Sequence, residues 1–259
     1  MKIVTINIFS DLSRWASRRD WLVQELKAQA ADVIALQEVV LPENNAAWLA
    51  DHLGMSYIFL TPKTGRAASK EAIAILSRLP FAGQAVLDLQ TQERVAQYAV
   101  IQDGDRRWVV ANGHYYWQPG ESLEREKQVR RVVAWLDGVG GDTPVVVCGD
   151  FNGTPDTAAI QFMRQHFVSA YAAIHGSEPE FTTPTLLPRS RVALLKTAIR
   201  YLFTVRLTDF RPKWRGTLDY IFVNKYVRVV DCQVVLNRPA PIDPSIYPSD
   251  HFGLAANLE

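Results

Sequence analysis

Short apolar runs alternate with helical patterns along the chain, and that alternation is the tightest constraint on its fold. Runs at 2–8, 33–37, 57–60, 72–77, 84–89, 95–101, 107–113, 144–148, 218–223, 227–235 and 252–257 are continuous or period-two and predict strands. Helical spacing predicts helices at 18–30, with Trp21, Leu22, Leu26 and Ala30 inward, and at 44–53. Two more are expected at 121–137, with Leu123, Val129, Val132, Val133 and Leu136 inward, and at 155–165, with Thr154 as N-cap and Pro155 at N1. Strands and helices in this order imply sheets covered by helices, an α/β layered domain.

No repeat, low-complexity tract or Pro/Gly linker divides the 259 residues. Met1-Lys2 leads straight into a strand-like segment instead of an apolar leader, and the longest apolar runs fall short of a membrane span. A soluble, cytoplasmic protein is expected. Cys148 and Cys232 sit in apolar strand-like segments and read as buried small hydrophobes without redox or metal roles. The formal charge of +1 hides an asymmetry: Thr185 to Gly216 carries +7, leaving −6 on the remainder. A local positive field on an acidic protein points to an anionic partner near that segment. Within it Val192, Leu195, Ile199, Leu202 and Phe203 recur at helical spacing beside Lys196 and Arg200, which predicts a basic amphipathic helix. Packing on its own domain, a substrate lid or a membrane surface are all open to such a helix.

Chemistry-bearing residues collect directly after apolar runs, where a rigid sheet edge can position them. Asn7 ends the first strand. Glu38 follows Asp32 to Gln37, and a carboxylate there needs compensation of the kind a hard cation with oxygen ligands supplies. In Gly149-Asp150-Phe151-Asn152, glycine permits a sharp turn while Asp and Asn two apart present an acceptor and a donor to one small group. Asp219 stands on an apolar strand and must be paired if buried. Asp250 and His251 are consecutive and cannot easily pair with each other, so each serves a different partner.

The ordered set Thr5-x-Asn7, Gln37-Glu38, Glu71-x-x-Ala74-Ile75-Leu76-Ser77, Asn112-x-His114, Gly149-Asp150-Phe151-Asn152, Asp219-Tyr220-Ile221-Phe222 and Ser249-Asp250-His251 resembles the endonuclease/exonuclease/phosphatase superfamily. The resemblance implies a four-layer α/β/β/α sandwich with two packed mixed sheets and one catalytic domain over 1–259, with a basic insertion at about 185–215. It implies Glu38 as principal metal ligand, aided by Asn7 and Asp250, with Mg²⁺ as cofactor and Mn²⁺ as substitute. Asp150 would activate water, Asn152 would hold a phosphoryl oxygen, and His251 would contact phosphate, oriented by Asp219. His114, supported by Glu71, resembles the deoxyribonuclease, sphingomyelinase, inositol-phosphatase and deadenylase branches more than the apurinic one. Ile6 and Ala72 depart from the usual Trp and Gly without removing a reactive group, and Arg125 with Gln128 matches a recurrent pattern read as structural.

The expected activity is metal-assisted hydrolysis of a phosphodiester or phosphomonoester, on nucleic acid or on a phospholipid headgroup. Tyr116, Trp117 and Arg215 are the expected substrate contacts, and residues 190–206 the expected peripheral membrane contact. A non-catalytic scaffold retaining the fold is the contrasting reading, disfavoured because every reactive position is present. No protein partner is expected.

Overall fold

The computed structural model describes residues 1–139, 141–183 and 215–259. The expected basic amphipathic helix, and membrane contact through 190–206, lie outside those residues. The first sheet contains β1 (Lys2–Asn7), β2 (Val33–Val40), β3 (Tyr57–Pro62), β4 (Glu71–Ser77), β11 (Val229–Val235) and β12 (Gly253–Leu258), in the order β11-β12-β1-β2-β4-β3. The second contains β5 (Phe81–Asp88), β6 (Val95–Asp103), β7 (Arg106–His114), β8 (Val145–Asp150), β9 (Val168–Ser169) and β10 (Asp219–Val223), in the order β5-β6-β7-β8-β10-β9. Both are mixed sheets, parallel only at β1–β2 and β7–β8. Among the described residues the α-helices are α1 (Trp15–Gln29), α2 (Asn45–Leu53), α3 (Leu123–Asp137), α4 (Ala158–His166) and α5 (Ala170–His175). Each parallel pair is joined through a helix, α1 or α3, as parallel strands require.

Three apolar clusters define the layers. Leu22, Leu26, Leu49 and Leu53 of α1 and α2 pack on Val4, Ile6 and Leu36 of the first sheet. Ile3, Val33 and Ile75 meet Trp108, Val146 and Ile221 between the sheets. Val129, Val132, Ile160 and Met163 of α3 and α4 cover Val109, Val147 and Phe222 of the second sheet. The result is the expected α/β/β/α sandwich. Cys148 and Cys232 are free and buried, and no helix among the described residues is long and apolar enough to cross a membrane.

Local expectations needed correction at helix ends. Ala30 does not face inward; it caps α1 in the left-handed conformation and is exposed. Leu123 opens α3 and is 64% exposed, because Ser122 caps that helix and its first turn lies clear of the core. Helix α4 starts at Ala158 with Thr157 in the N-cap position, while Thr154 and Pro155 form the preceding turn, where the Thr154 carbonyl accepts the Thr157 N–H and hydroxyl. The β9–α5 segment was not anticipated; two strand residues leave too short a pattern to read.

Candidate active site

Period-two alternation decides which groups meet. In β1, Ile3 packs between the sheets and Val4 and Ile6 face the helices, so Asn7 shares the inter-sheet side with Ile3. The same parity sets His114 and Asn112 with Trp108 and Val110, Asp150 with Val146 and Cys148, Asp219 with Ile221, and Glu71 with Ile75. The registers Asn7↔Gln37, Val40↔Glu71, His114↔Asp150 and Asp150↔Asp219 bring these residues to one end of the paired sheets.

Glu38 breaks parity. Strand β2 does not stop at residue 37 but continues to Val40 through a bulge between Leu36 and Val39, with Glu38 at φ 58°. The extra residue re-aims a side chain that strict alternation would send toward the helices. Gly149, at φ 135°, is required by close approach: a Cβ there would lie 2.0 Å from the Gly113 carbonyl oxygen on the neighbouring strand.

The Asn7 amide donates to Glu38 Oε1 at 3.2 Å and to Asp150 Oδ2 at 3.0 Å, while its oxygen accepts the Phe9 N–H at 3.0 Å. As placed, Asn7 therefore bridges two carboxylates with its nitrogen and does not present its oxygen to them. Glu38 Oε2 accepts the Ser10 N–H at 2.7 Å and hydroxyl at 2.8 Å. Burial pushes the Glu38 pKa up, but the Ser10 bonds, the nearby His251 charge and Asn7 outweigh it and hold the carboxyl below its ordinary value.

His251 Nδ1 bonds Asp219 Oδ2 at 2.9 Å, as expected. The same oxygen accepts the Thr182 hydroxyl at 2.6 Å, and that hydroxyl oxygen accepts the N–H groups of Leu218 and Asp219 at 3.0 and 3.2 Å. His114 Nε2 and His251 Nε2 lie 3.4 and 4.0 Å from Asp150 Oδ2. The two imidazoles differ in charge. Desolvation lowers the His251 pKa, yet Asp219, Asp150 and Asp250 overcome it and raise the pKa well above 6.5. Desolvation, reinforced by Arg94 and Lys63, holds His114 well below 6.5. Burial, with Asp219 reinforcing it, raises Asp150 to about 7 against the pull of His251 and Asn7.

Two expected pairings differ in detail. Glu71 Oε1 stands 3.7 Å from His114 Nδ1 without a hydrogen bond and is instead ion-paired with Lys63, with Arg94 at 3.7 Å. Burial, together with these two cations beside Glu71, disfavours a charge on the His114 imidazole. Asn152, at φ 51°, gives its backbone N–H to Asp150 Oδ1 at 2.9 Å and one amide hydrogen to the Tyr115 carbonyl at 3.2 Å, leaving its second amide hydrogen without a partner among the described residues. Asp250 is buried, 3.4 Å from the Ser249 hydroxyl, which donates to the Asn7 carbonyl at 2.5 Å. Asn112 is a clip between sheets, accepting from Gln37 at 2.7 Å and donating to the Leu36 and Ala74 carbonyls at 3.0 Å.

Buried arginines from the two crossover helices bolt the site loops down. Arg18 of α1 donates to the carbonyls of Ile8, Phe9 and Pro248; Arg125 of α3 donates to those of Tyr116, Gln118, Gly120 and Asn152. Gln128 completes the second clamp, accepting the Tyr116 N–H and donating to the Leu89 and Thr91 carbonyls. Tyr116 and Trp117 are thus held, half-buried, directly after His114, with the Trp117 N–H on Gln92 Oε1 at 3.0 Å. Arg215 is exposed, its guanidinium 4.7 Å above the Phe181 ring. Ser10, Lys63, Arg94, Thr182 and Arg18 were missed in the sequence; none belongs to a short motif, and only burial exposes them.

The ligating atoms of Asp150, Asp219 and His251 all lie within 4.8 Å of one another. The Asp219–His251 hydrogen bond forms one edge of that grouping; Glu38 stands outside it as a carboxylate held below its ordinary pKa, chemically able to hold a hard cation.

The model of the family described as Endonuclease/Exonuclease/phosphatase matches residues 4–251. The chain is 26% identical to 2',5'-phosphodiesterase 12 of Homo sapiens, over 93% of this chain and 46% of that protein; it spans less than half that relative's length. Among solved structures, it resembles the human Nocturnin catalytic domain with bound sulfate, with a TM-score of 0.74 at 21% identity over 100% of this chain and 94% of the other. D. rerio TDP2 complexed with a single strand DNA product gives a TM-score of 0.78 at 18% identity, over 100% and 98%. At such identities the likeness to solved structures is one of fold.

Proposed function

The chain belongs to the Endonuclease/Exonuclease/phosphatase family, and on that premise we propose that it is a metal-dependent phosphoric ester hydrolase cleaving a phosphodiester of nucleic-acid or nucleotide type. One observation carries the reading: Asp150 Oδ2 is approached by Nε2 of both His114 and His251, and Asn7 ties it to Glu38. A carboxylate at that junction can take a proton from water while the imidazoles meet the phosphoryl oxygens. Residues 1–259 act in this proposal as one catalytic domain.

The donor set fits a divalent cation. Asp150 and Asp219 converge on His251, Asn7 ties Asp150 to Glu38, and Asp219 Oδ1 has no hydrogen-bond partner among the described residues. Glu38 with Asp250 would hold the ion, and Asn7 would join them only by releasing the Phe9 N–H. A bound Mg²⁺ or Mn²⁺ would neutralise charge on the phosphoryl oxygens and leaving group.

The protein's own groups supply the rest. Asp150 removes the proton of a water aligned opposite the leaving oxygen, and the water oxygen bonds to phosphorus as the ester bond breaks. Cationic His251, held by Asp219, stabilises negative charge growing on a phosphoryl oxygen. His114, held neutral, donates or accepts a hydrogen bond without adding charge, and the free amide N–H of Asn152 orients another oxygen.

A substrate panel of DNA, RNA, abasic DNA, 2',5'-linked oligoadenylate, inositol phosphates and sphingomyelin, with and without EDTA, tests the proposal. Cation-dependent turnover of a nucleotide diester is expected; turnover in EDTA, or of sphingomyelin alone, would overturn it.

A further inference from the structure

Three aromatic side chains beside the catalytic dyad serve none of the apolar cores. Phe181, Tyr247 and Phe252 are half-buried and absent from all three clusters. Their rings contact one another: Phe181 and Phe252 have centroids 5.6 Å apart at 41°, Tyr247 and Phe252 6.3 Å apart at 35°. Their backbone is fixed to the site. Phe181 precedes Thr182, whose hydroxyl bonds Asp219, and Phe252 follows His251 and donates its N–H to the Thr182 carbonyl at 2.7 Å. The isolated bridge between Thr183 and Gly216 holds residues 215–216 alongside, with the Arg215 guanidinium above Phe181.

We propose that Phe181, Phe252 and Tyr247 form a shelf on which a nucleobase of a single-stranded substrate stacks, with Arg215 at its rim facing the strand's phosphates. The inference rests on the nucleotide phosphodiester reading and adds to it a base-binding subsite. The occupant is set by three features together. The three rings are half-buried and so keep part of their aromatic surface in solvent, beside the guanidinium that covers one side of Phe181, and such a surface suits a planar base, whatever its identity. An exposed cation at the shelf, followed in the chain toward its N-terminus by the strongly basic 185–214 segment, suits a polyanion. Phe181 and Phe252 are the chain neighbours of Thr182 and His251, both of which bond Asp219, so a base on the shelf would lie next to the Asp219–His251 pair.

The test is equilibrium binding in EDTA of two fluorescein-labelled single strands, equal in length and charge, one bearing bases and one abasic throughout. The intact chain should prefer the base-bearing strand by on the order of tenfold or more. Phe181→Leu combined with Phe252→Leu should bring the two affinities together, and Phe252→Trp alone should keep them apart. If the double variant melts early, Tyr247→Leu, whose ring lies at the edge of the shelf, should still narrow the preference. No preference in the intact chain, or an undiminished one in these variants, would overturn the shelf. Because binding is read without metal or turnover, failure of the hydrolytic proposal is detected separately, in the substrate panel.

Discussion

Asp219 Oδ2 lies 2.9 Å from His251 Nδ1, and the carboxylate that makes this bond has no exposed surface. A buried anion sharing a proton with an imidazole both orients the ring and keeps it cationic. Asp219→Asn should therefore lower kcat/KM by about two to four orders of magnitude. It should also move the alkaline limb of the pH–rate profile downward, since the His251 pKa is raised chiefly by Asp219 acting against desolvation. A variant with the parent's alkaline limb would contradict the assignment.

Asp150 has its folded pKa raised from 3.8 to about 7 by burial, so ionising it costs folding free energy. The unfolded chain ionises first. This group's contribution to stability is hence full below about pH 4 and declines as pH rises toward 7. Asp150→Asn removes that decline while abolishing hydrolysis. Thermal melts in EDTA from pH 4 to 8 should show the variant gaining on the parent as pH rises; parallel curves would refute the burial argument.

Cation binding should raise the melting temperature of the parent, by linkage of about 2.7 kcal/mol at a hundredfold excess over Kd. Glu38→Gln should lose most of that rise, whereas Asp20→Asn, at an exposed position of α1, should retain it. Titrating Mg²⁺ or Mn²⁺ during calorimetric melts reads both.

Gly149→Ala is expected to destabilise by about 2–4 kcal/mol, because its Cβ would meet the Gly113 carbonyl at 2.0 Å in a backbone region side chains avoid. Gly104→Ala, also at positive φ but with nothing within 4 Å, should cost about 1 kcal/mol. Urea midpoints of the two variants decide whether close approach or φ alone dominates.

Arg125→Met should cost about 3 kcal/mol, since it removes a buried guanidinium that donates to four partly buried carbonyls of two site loops. It should also lower kcat more than it raises KM, because Asn152 and the segment after His114 lose their common anchor. Steady-state kinetics at a temperature where the variant is fully folded checks this.

The layered fold was legible because apolar periodicity is a local property: each strand run and each helix stripe appears in the amino-acid order itself. The proposed site residues Asn7, Asp150, Asp219 and His251 stand at or beside the ends of such runs, which is why the sequence pointed to them. What could not be read were the partners. Lys63 and Arg94 lie far from any motif, yet they claim Glu71 and leave His114 uncharged. Ser10 and Thr182 are ordinary hydroxyl residues until folding sets them against Glu38 and Asp219.

By itself, then, the amino-acid order determined the elements and set the proposed site residues at or beside their ends. Only the tertiary structure decided that Glu38 turns out of parity at a bulge, that Asn7 bridges carboxylates with its nitrogen, and that two histidines a few ångströms from one carboxylate carry different charge. The physical reason is that alternation and propensity act within a segment, whereas bulges, amide orientation and pKa depend on desolvation and on charges brought together from distant positions.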